Sequence, residues 1–253
     1  MTGVVTSRQN PLIRHFRLLE SDGAYRRQKK AFLCEGPLLL EEAAREGMSI
    51  PQALVCGDGF SLPAATQVTR VTPELLSYVS GVKSPQGVVF SCALPDSAPP
   101  ERLEKGFYMV LDGVQDPGNV GAVLRSADAF AAREVILTGA CADPYSPKCV
   151  RASMGAVFRL PVRVAAHAQA IGLFRASGIP LIAAMPDKGA ADLRRADLRN
   201  AAVVIGSEGA GVSETLRCAC ASSVCILMPG RAQSLNAAVA ASIILWERAR
   251  QEG

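Results

Sequence analysis

The feature that most constrains the fold is an alternation of short apolar segments and longer helical ones from residue 107 onward. The apolar segments, such as "EVILT" and "AVVIG", have the length and β-branched content of strands. Helical patterns follow at about 119–131, 168–177 and 234–250. Alternating units of this kind predict an α/β fold: a parallel sheet covered by helices on both faces. Because such sheets bind ligands at the carboxyl ends of their strands, the loops after the strands are the place to seek chemistry.

The first unusual loop lies in "LDGVQDPGNVGAVLRSADAF". Gly118, Gly121 and Ala122 keep the start of the following helix free of bulk, so a ligand or another backbone could approach closely. Arg125 lies one turn on from Gly121, where a guanidinium is well placed to meet a phosphate. The same spacing is also compatible with plain helix packing and an ordinary surface arginine.

The second loop is "VVIGSEGAGVS", a strand followed by Gly206, Gly209 and Gly211. A dinucleotide fingerprint needs GxGxxG and a phosphate loop ends in GK[ST], whereas this order is GxxGxG without lysine. Glu208 within the loop would repel a pyrophosphate held by backbone amides. The pattern therefore argues against a dinucleotide or triphosphate ligand.

The third loop is "VCILMPGRAQSLNAAVAASIILWE", a strand, a Pro-Gly turn and an apolar helix. Ser234 and Asn236 are both residue types that cap helix N-termini well. Capping and a functional role are therefore two alternative interpretations of these residues. The apolar run at 235–246 is twelve residues long, far short of the roughly 20 that span a bilayer. We expect no membrane association.

The N-terminal region is predicted to be a small α/β unit that carries the basic charge. Residues 1–30 hold seven Lys and Arg against two Asp and Glu, and the rest of the chain has no basic excess. Asn10 and Pro11 predict a helix start. A basic segment of this kind is typical of a polyanion-binding arm, although a solvated helix face is the alternative.

The remaining composition excludes several classes of protein. The eight cysteines form no CxxC pair and have no histidines at zinc spacing, so neither disulfides nor a metal site is expected. The N-terminus has no apolar export signal, and we expect a cytoplasmic protein. The proline-rich stretch at 94–106 is the best candidate for a linker.

Together, the three loops resemble the sequence motifs of the SpoU, or TrmH-like, RNA ribose 2′-O-methyltransferases of the SPOUT superfamily. The motifs occur in the family's order, and "SPKCVRASMGAVFRLPV" matches a further family segment between the first two. This resemblance covers about residues 107–250. The first region is similar to the family's RNA-binding domain through "NPLIRHFRLL", "RRQKKAFLCEGPLLLEEA" and "SPQGVVFS".

The resemblance implies a specific architecture and chemistry. It implies a C-terminal trefoil knot in the α/β sheet, a small N-terminal α/β domain of L30e-like fold, and a homodimer with the active site at its interface. The implied domains are an RNA substrate-binding domain at 1–97, a linker at 98–105 and a methyltransferase domain at 106–253. The implied cofactor is S-adenosylmethionine, and 23S-type ribosomal RNA is the favoured substrate.

The resemblance also assigns site residues. By resemblance Arg125 is the proposed base, but a guanidinium stays protonated at neutral pH. We therefore expect Arg125 to bind the target phosphate and stabilise developing charge, with the proton acceptor left open. The catalytic set is Arg125, Asn119, Glu208, Ser234 and Asn236. The cofactor-binding set is Ile205, Gly206, Leu227, Met228, Ser234 and Leu235. The expected RNA contacts are Arg14, Arg17, Arg26, Arg27, Lys29 and Lys30.

Two alternatives remain open at this point: a tRNA 2′-O-methyltransferase, and a non-catalytic RNA-binding protein of ribosome assembly. A nucleotide-dependent oxidoreductase is disfavoured by the order of the glycines. Binding of S-adenosylmethionine but not NAD would separate these classes.

Overall fold

The computed structural model describes residues 3–95, 100–186 and 189–252, and the chain forms two compact units. The N-terminal unit comprises residues 1–96 and 145–159, and the C-terminal unit comprises 97–144 and 160–253. The contiguous domains predicted at 1–97 and 106–253 differ from this division, because segment 145–159 packs with the N-terminal unit. Part of the predicted linker at 98–105 lies outside the described residues.

Helices and strands are interspersed along the described chain. In chain order the elements are α1 (Pro11–Ser21), α2 (Gly23–Lys29), β1 (Ala31–Glu35), α3 (Pro37–Arg45), β2 (Gln52–Val55), β3 (Gln67–Arg70), α4 (Pro73–Val79), β4 (Val88–Ala93), β5 (Tyr108–Asp112), α5 (Pro117–Ala129), β6 (Glu134–Thr138), α6 (Pro147–Ser153), α7 (Ala156–Arg159), β7 (Val162–Val164), α8 (His167–Ser177), β8 (Leu181–Ala184), β9 (Ala191–Asp192), β10 (Ala202–Gly206), α9 (Glu214–Ala219), β11 (Ser222–Cys225) and α10 (Ala237–Arg250).

The N-terminal unit is built on a mixed sheet with the strand order β1-β4-β2-β3. The predicted first helix is confirmed: the Asn10 side chain accepts a hydrogen bond of 2.8 Å from the Leu12 amide, and Pro11 occupies the first turn. On the other side of the sheet, Val150 and Val157 share a core with Phe32. These contacts explain why segment 145–159 belongs to this unit.

The C-terminal unit is a seven-stranded parallel sheet with the order β7-β6-β5-β10-β8-β11-β9. Tyr108 and Val110 pack on one face against Phe174 of α8. Met109 and Leu111 alternate with them, point to the other face and are fully buried. Since both faces are covered, the predicted parallel sheet flanked by helices is confirmed.

Helices α5 and α10 pack against each other in the C-terminal unit. The hydroxyl oxygens of Ser126 and Ser242 lie 2.8 Å apart across this contact, and Arg248 donates to the Phe130 carbonyl at 3.2 Å. The two helices thereby bring the first and third sequence motifs together. Within the described stretches, no helix has the length and apolar character needed to cross a membrane.

Candidate active site

A cavity of about 310 Å³ opens at the carboxyl ends of three adjacent strands, β10, β8 and β11. Its wall is mostly apolar. Among the described residues that line it, Glu208 is the one ionisable side chain, and there is no cation. The lining residues are Ala184, Met185, Pro186, Ile205, Gly206, Ser207, Glu208, Gly209, Ala210, Gly211, Val224, Ile226, Met228, Ser234, Leu235, Ala237, Ala240 and Ile244.

One wall of the cavity is the glycine loop, which we define as residues 206–213. The loop folds back on itself: the Gly211 amide donates to the Ser207 carbonyl at 2.9 Å, and the Ala210 amide donates to the Ser207 hydroxyl at 3.2 Å. A Cβ added at Gly206 would overlap the backbone of Gly211. Glycine at 206 is therefore what allows the loop to close.

The three motif loops meet in a polar cluster formed by Asn119, Glu208 and Asn236. Both amide side chains donate to Glu208 Oε1, Asn119 at 3.0 Å and Asn236 at 2.6 Å. Asn236 Nδ2 also lies 3.1 Å from Asn119 Oδ1. Three residues that the sequence assigned to one site, up to 117 positions apart, are thus in direct contact.

The third motif supplies both a helix cap and part of the cavity wall. Asn236 Oδ1 accepts from the Ala238 amide at 2.9 Å and from the Val239 amide at 3.3 Å, so Asn236 caps α10. Its amide nitrogen remains available for Glu208. Ser234 is exposed and lines the cavity without capping the helix.

Five of the six predicted cofactor residues line the cavity, and Leu227 does not. Its side chain is 58% exposed, whereas Val224, Ile226 and Met228 line the wall. Leu227 therefore contributes no side chain to the wall, whereas Ile226 does. Because the resemblance assigns the cofactor contacts mostly to backbone groups, the cofactor role of Leu227 stays a prediction.

Arg125 lies on the exposed side of α5, in the same helix as Asn119. Across the described parts of the chain it makes no hydrogen bond or ion pair with another side chain, and it does not touch the polar cluster. The structure thus leaves the guanidinium accessible, while its predicted partners contact one another.

The predicted basic residues of the N-terminal unit are exposed or half-exposed, apart from Arg26. Arg26 is 5% exposed and donates to the Leu19 and Glu20 carbonyls, at 2.8 and 3.2 Å. These are carbonyls near the end of α1, which lack partners within the helix. Arg26 therefore supplies the hydrogen bonds that the last carbonyls of α1 lack, and its prediction as an RNA contact is corrected.

A buried carboxylate that the sequence analysis missed lies next to the glycine loop. Asp112 ends β5 and is 4% exposed. Its Oδ2 accepts from the Ser213 amide at 2.7 Å, and its Oδ1 lies 2.8 Å from His167 Nε2 and 3.3 Å from the Thr138 hydroxyl. Burial raises the pKa of Asp112, but hydrogen bonds from Ser213 and His167 outweigh it and hold the pKa below its ordinary value.

The site does not contain a metal centre within the described residues, where no group of three or more His, Cys, Asp or Glu side chains could hold an ion. The fold and the site together define a class: α/β proteins with a mostly apolar cavity, suited to a small organic ligand, at the strand ends of a parallel sheet. Residues 106–246 match the SpoU rRNA Methylase family, and residues 10–89 match an MRM3-like substrate binding domain. The chain belongs to the SpoU rRNA methylase family.

The chain is similar to named relatives over most of its length and to a solved structure over nearly all of it. The chain is 28% identical to the 23S rRNA (guanosine(2553)-2′-O)-methyltransferase RlmP of Bacillus subtilis, over 96% of this chain and 97% of that protein. It is 37% identical to the 23S rRNA (uridine(2479)-2′-O)-methyltransferase of Streptomyces viridochromogenes, over 74% and 68%. The solved structure of the SpoU methyltransferase AviRb from S. viridochromogenes, in complex with the cofactor AdoMet, has a TM-score of 0.86 at 30% identity and covers 96% of this chain and 98% of its own.

Proposed function

We propose that this protein is an S-adenosylmethionine-dependent methyltransferase that methylates a ribose 2′-hydroxyl of RNA, with 23S-type ribosomal RNA as the substrate. The observation that supports this most is the polar cluster of Asn119, Glu208 and Asn236 at the wall of a cavity whose described lining residues include no cation. The named 23S rRNA relatives favour ribosomal RNA over tRNA.

The cavity suits S-adenosylmethionine by the chemistry of its wall. Among the described residues, the wall has one carboxylate and no cation, which suits a ligand that carries a positive sulfonium and disfavours a pyrophosphate. The apolar side chains and the loop backbone would hold the adenosine and methionine portions. The residues we assign to the cofactor are Ile205, Gly206, Ile226, Leu227, Met228, Ser234 and Leu235, with Leu227 contributing backbone groups.

The reaction requires alignment and removal of one proton. S-adenosylmethionine supplies a methyl carbon that is already electrophilic, because it is bonded to a positively charged sulfur. The polar cluster fixes the glycine loop against the starts of α5 and α10, and Ser234 lies at the same wall. Arg125 binds the phosphate of the target nucleotide and stabilises developing charge. Alignment of the ribose hydroxyl with the methyl group lowers the activation free energy by several kcal/mol.

Equilibrium binding followed by RNA mapping tests the function. S-adenosylmethionine should bind the purified protein, whereas NAD should not. Comparison of 2′-O-methyl sites in ribosomal and transfer RNA from cells with and without the protein should reveal one ribosomal site that is lost. Loss of a tRNA methyl instead would reassign the substrate, and binding without any lost methyl would favour a non-catalytic assembly protein.

We propose that the N-terminal unit binds RNA phosphates through Arg14, Arg17, Arg27, Lys29 and Lys30. The variant Arg27→Gln/Lys29→Gln/Lys30→Gln removes three charges, and its RNA affinity should fall with a salt slope smaller by roughly 2 to 3. The variant Arg102→Gln/Lys105→Gln/Arg175→Gln removes as many exposed charges from the other unit. If both variants lose affinity equally, the N-terminal residues have no particular role.

We also propose a homodimer formed through α5 and α10. Their outer surface carries an apolar cavity of about 420 Å³ lined in part by Ala122, Val239 and Trp246. Trp246 is 53% exposed and Val239 48%, and apolar patches of this kind on a soluble protein mark contact surfaces. The knotted C-terminus, the L30e-like N-terminal fold and a cytoplasmic location are proposals that follow from family membership.

Sedimentation measures the dimer directly. The wild-type protein should sediment as a dimer at micromolar concentration, and Val239→Glu/Trp246→Glu should sediment as a monomer, because two charges would be buried without partners. Leu38→Glu changes a side chain of similar exposure on α3, at 51%, and should remain dimeric. A dimeric Val239→Glu/Trp246→Glu variant would move the interface elsewhere.

A further inference from the structure

Both ends of the glycine loop are attached to the same residue. At its start, Gly206 is the register partner of Asp112 across the parallel pair β5 and β10. At its end, the Ser213 amide donates to the Asp112 carboxylate at 2.7 Å. Backbone pairing holds one end and a side chain holds the other, so the position of the loop depends on the Asp112 side chain.

The Asp112 carboxylate is itself fixed on its other oxygen. His167, the first residue of α8, lies 2.8 Å from Oδ1, and the Thr138 hydroxyl donates to the same oxygen at 3.3 Å. A Cβ added at Gly139 would approach Oδ1 to 3.0 Å, so glycine at 139 leaves the space that the carboxylate needs in this position. A buried carboxylate with charge-assisted hydrogen bonds on both oxygens is a rigid attachment point.

We propose that Asp112 is a positioning residue that holds the glycine loop in its cofactor-binding shape, with His167 orienting the carboxylate. Asp112 is absent from the cavity wall and acts through Ser213, the last residue of a loop whose residues 206–211 form that wall. The inference rests on the proposed function only in identifying the ligand as S-adenosylmethionine.

The mechanism is pre-organisation. Without the bond to Asp112, the Ser213 amide loses its partner, and the end of the loop keeps the packing of Val212 and the hydrogen bond from the Arg217 amide of α9 to the Ser213 carbonyl. Ligand binding must then order the loop, and the free energy needed for that ordering is lost from the affinity. The expected signature is weaker cofactor binding together with faster amide exchange confined to residues 207–213.

The principal test uses Asp112→Ala, which removes both carboxylate oxygens and leaves the Ser213 amide without its acceptor. Calorimetric titration with S-adenosylmethionine should give a Kd at least 10-fold higher than wild type. Hydrogen exchange of the ligand-free protein should accelerate in residues 207–213 and stay unchanged in β6. Phe174→Leu in the core of the same unit serves as the control for stability, since it should lower the melting temperature without a selective effect on the loop.

Variants of His167 test the same attachment without altering the carboxylate. His167→Ala should raise the Kd about 3- to 10-fold, and His167→Gln, whose amide can donate to Asp112, should restore it. A Kd for Asp112→Ala within twofold of wild type, or equal losses in Asp112→Ala and Phe174→Leu, would overturn the inference. If the wild-type protein fails to bind S-adenosylmethionine, the proposed function is overturned, and exchange of residues 207–213 in the ligand-free proteins still tests the role of Asp112.

Discussion

Arg125→Ala is expected to lower the rate of methyl transfer at least about 100-fold, while the Kd for S-adenosylmethionine stays within about twofold of wild type. Loss of one charged group that stabilises developing charge typically lowers kcat by roughly 10²- to 10³-fold. The guanidinium is exposed and lies outside the cavity wall, so its removal should leave the cofactor site intact. Incorporation of labelled methyl into ribosomal RNA from cells that lack the protein measures the rate.

Two further arginine variants separate the role of Arg125 from a general charge effect. Arg125→Lys keeps the charge but loses the planar fork that binds phosphate through two hydrogen bonds, so its rate should lie between wild type and Arg125→Ala. Arg175→Ala removes an exposed arginine from α8 and should leave the rate unchanged. Near-normal transfer by Arg125→Ala would remove Arg125 from the mechanism.

The sequence predicts an element well when the element is buried and apolar or begins with a capping residue. The β-branched runs "EVILT" and "AVVIG" correspond to β6 and β10 residue for residue, since both are fully buried and need continuous apolar side chains. β3 was missed because Gln67–Arg70 is polar and lies at the sheet edge. A strand exposed at an edge has no hydrophobic pattern to reveal it.

The candidate site was predictable only as far as its residues carry a motif. The family resemblance names Asn119, Glu208 and Asn236, and the structure brings their side chains into contact, while their roles stay a prediction. Asp112 lies within the first motif, but the sequence indicates no role for it, because its partner Ser213 is 101 positions away. Likewise, the burial of Arg26 depends on how α2 packs against the end of α1. Contacts between distant segments produce no periodic pattern in the sequence, so the sequence does not predict them.

The largest effect on cofactor binding is expected from Gly206→Ala. The new methyl group would overlap the Gly211 carbonyl and the Val212 amide nitrogen, and backbone atoms cannot rotate away as a flexible side chain can. Forcing a methyl into packed structure costs about 1–3 kcal/mol, and here the loop that forms the cavity wall must open to accept it. We expect a Kd for S-adenosylmethionine at least about 100-fold above wild type, equivalent to about 2.7 kcal/mol.

Gly209→Ala is the matched control, since a Cβ at Gly209 meets nothing within 4 Å. Thermal melting of the ligand-free proteins should show a lower melting temperature for Gly206→Ala and an unchanged melting temperature for Gly209→Ala. Because Gly209 also lines the cavity, weaker binding by Gly209→Ala without any loss of stability would mean that its methyl occupies ligand space. Equal stability and affinity in Gly206→Ala and wild type would show instead that the loop reopens at no cost, and that its closure does not shape the cofactor site.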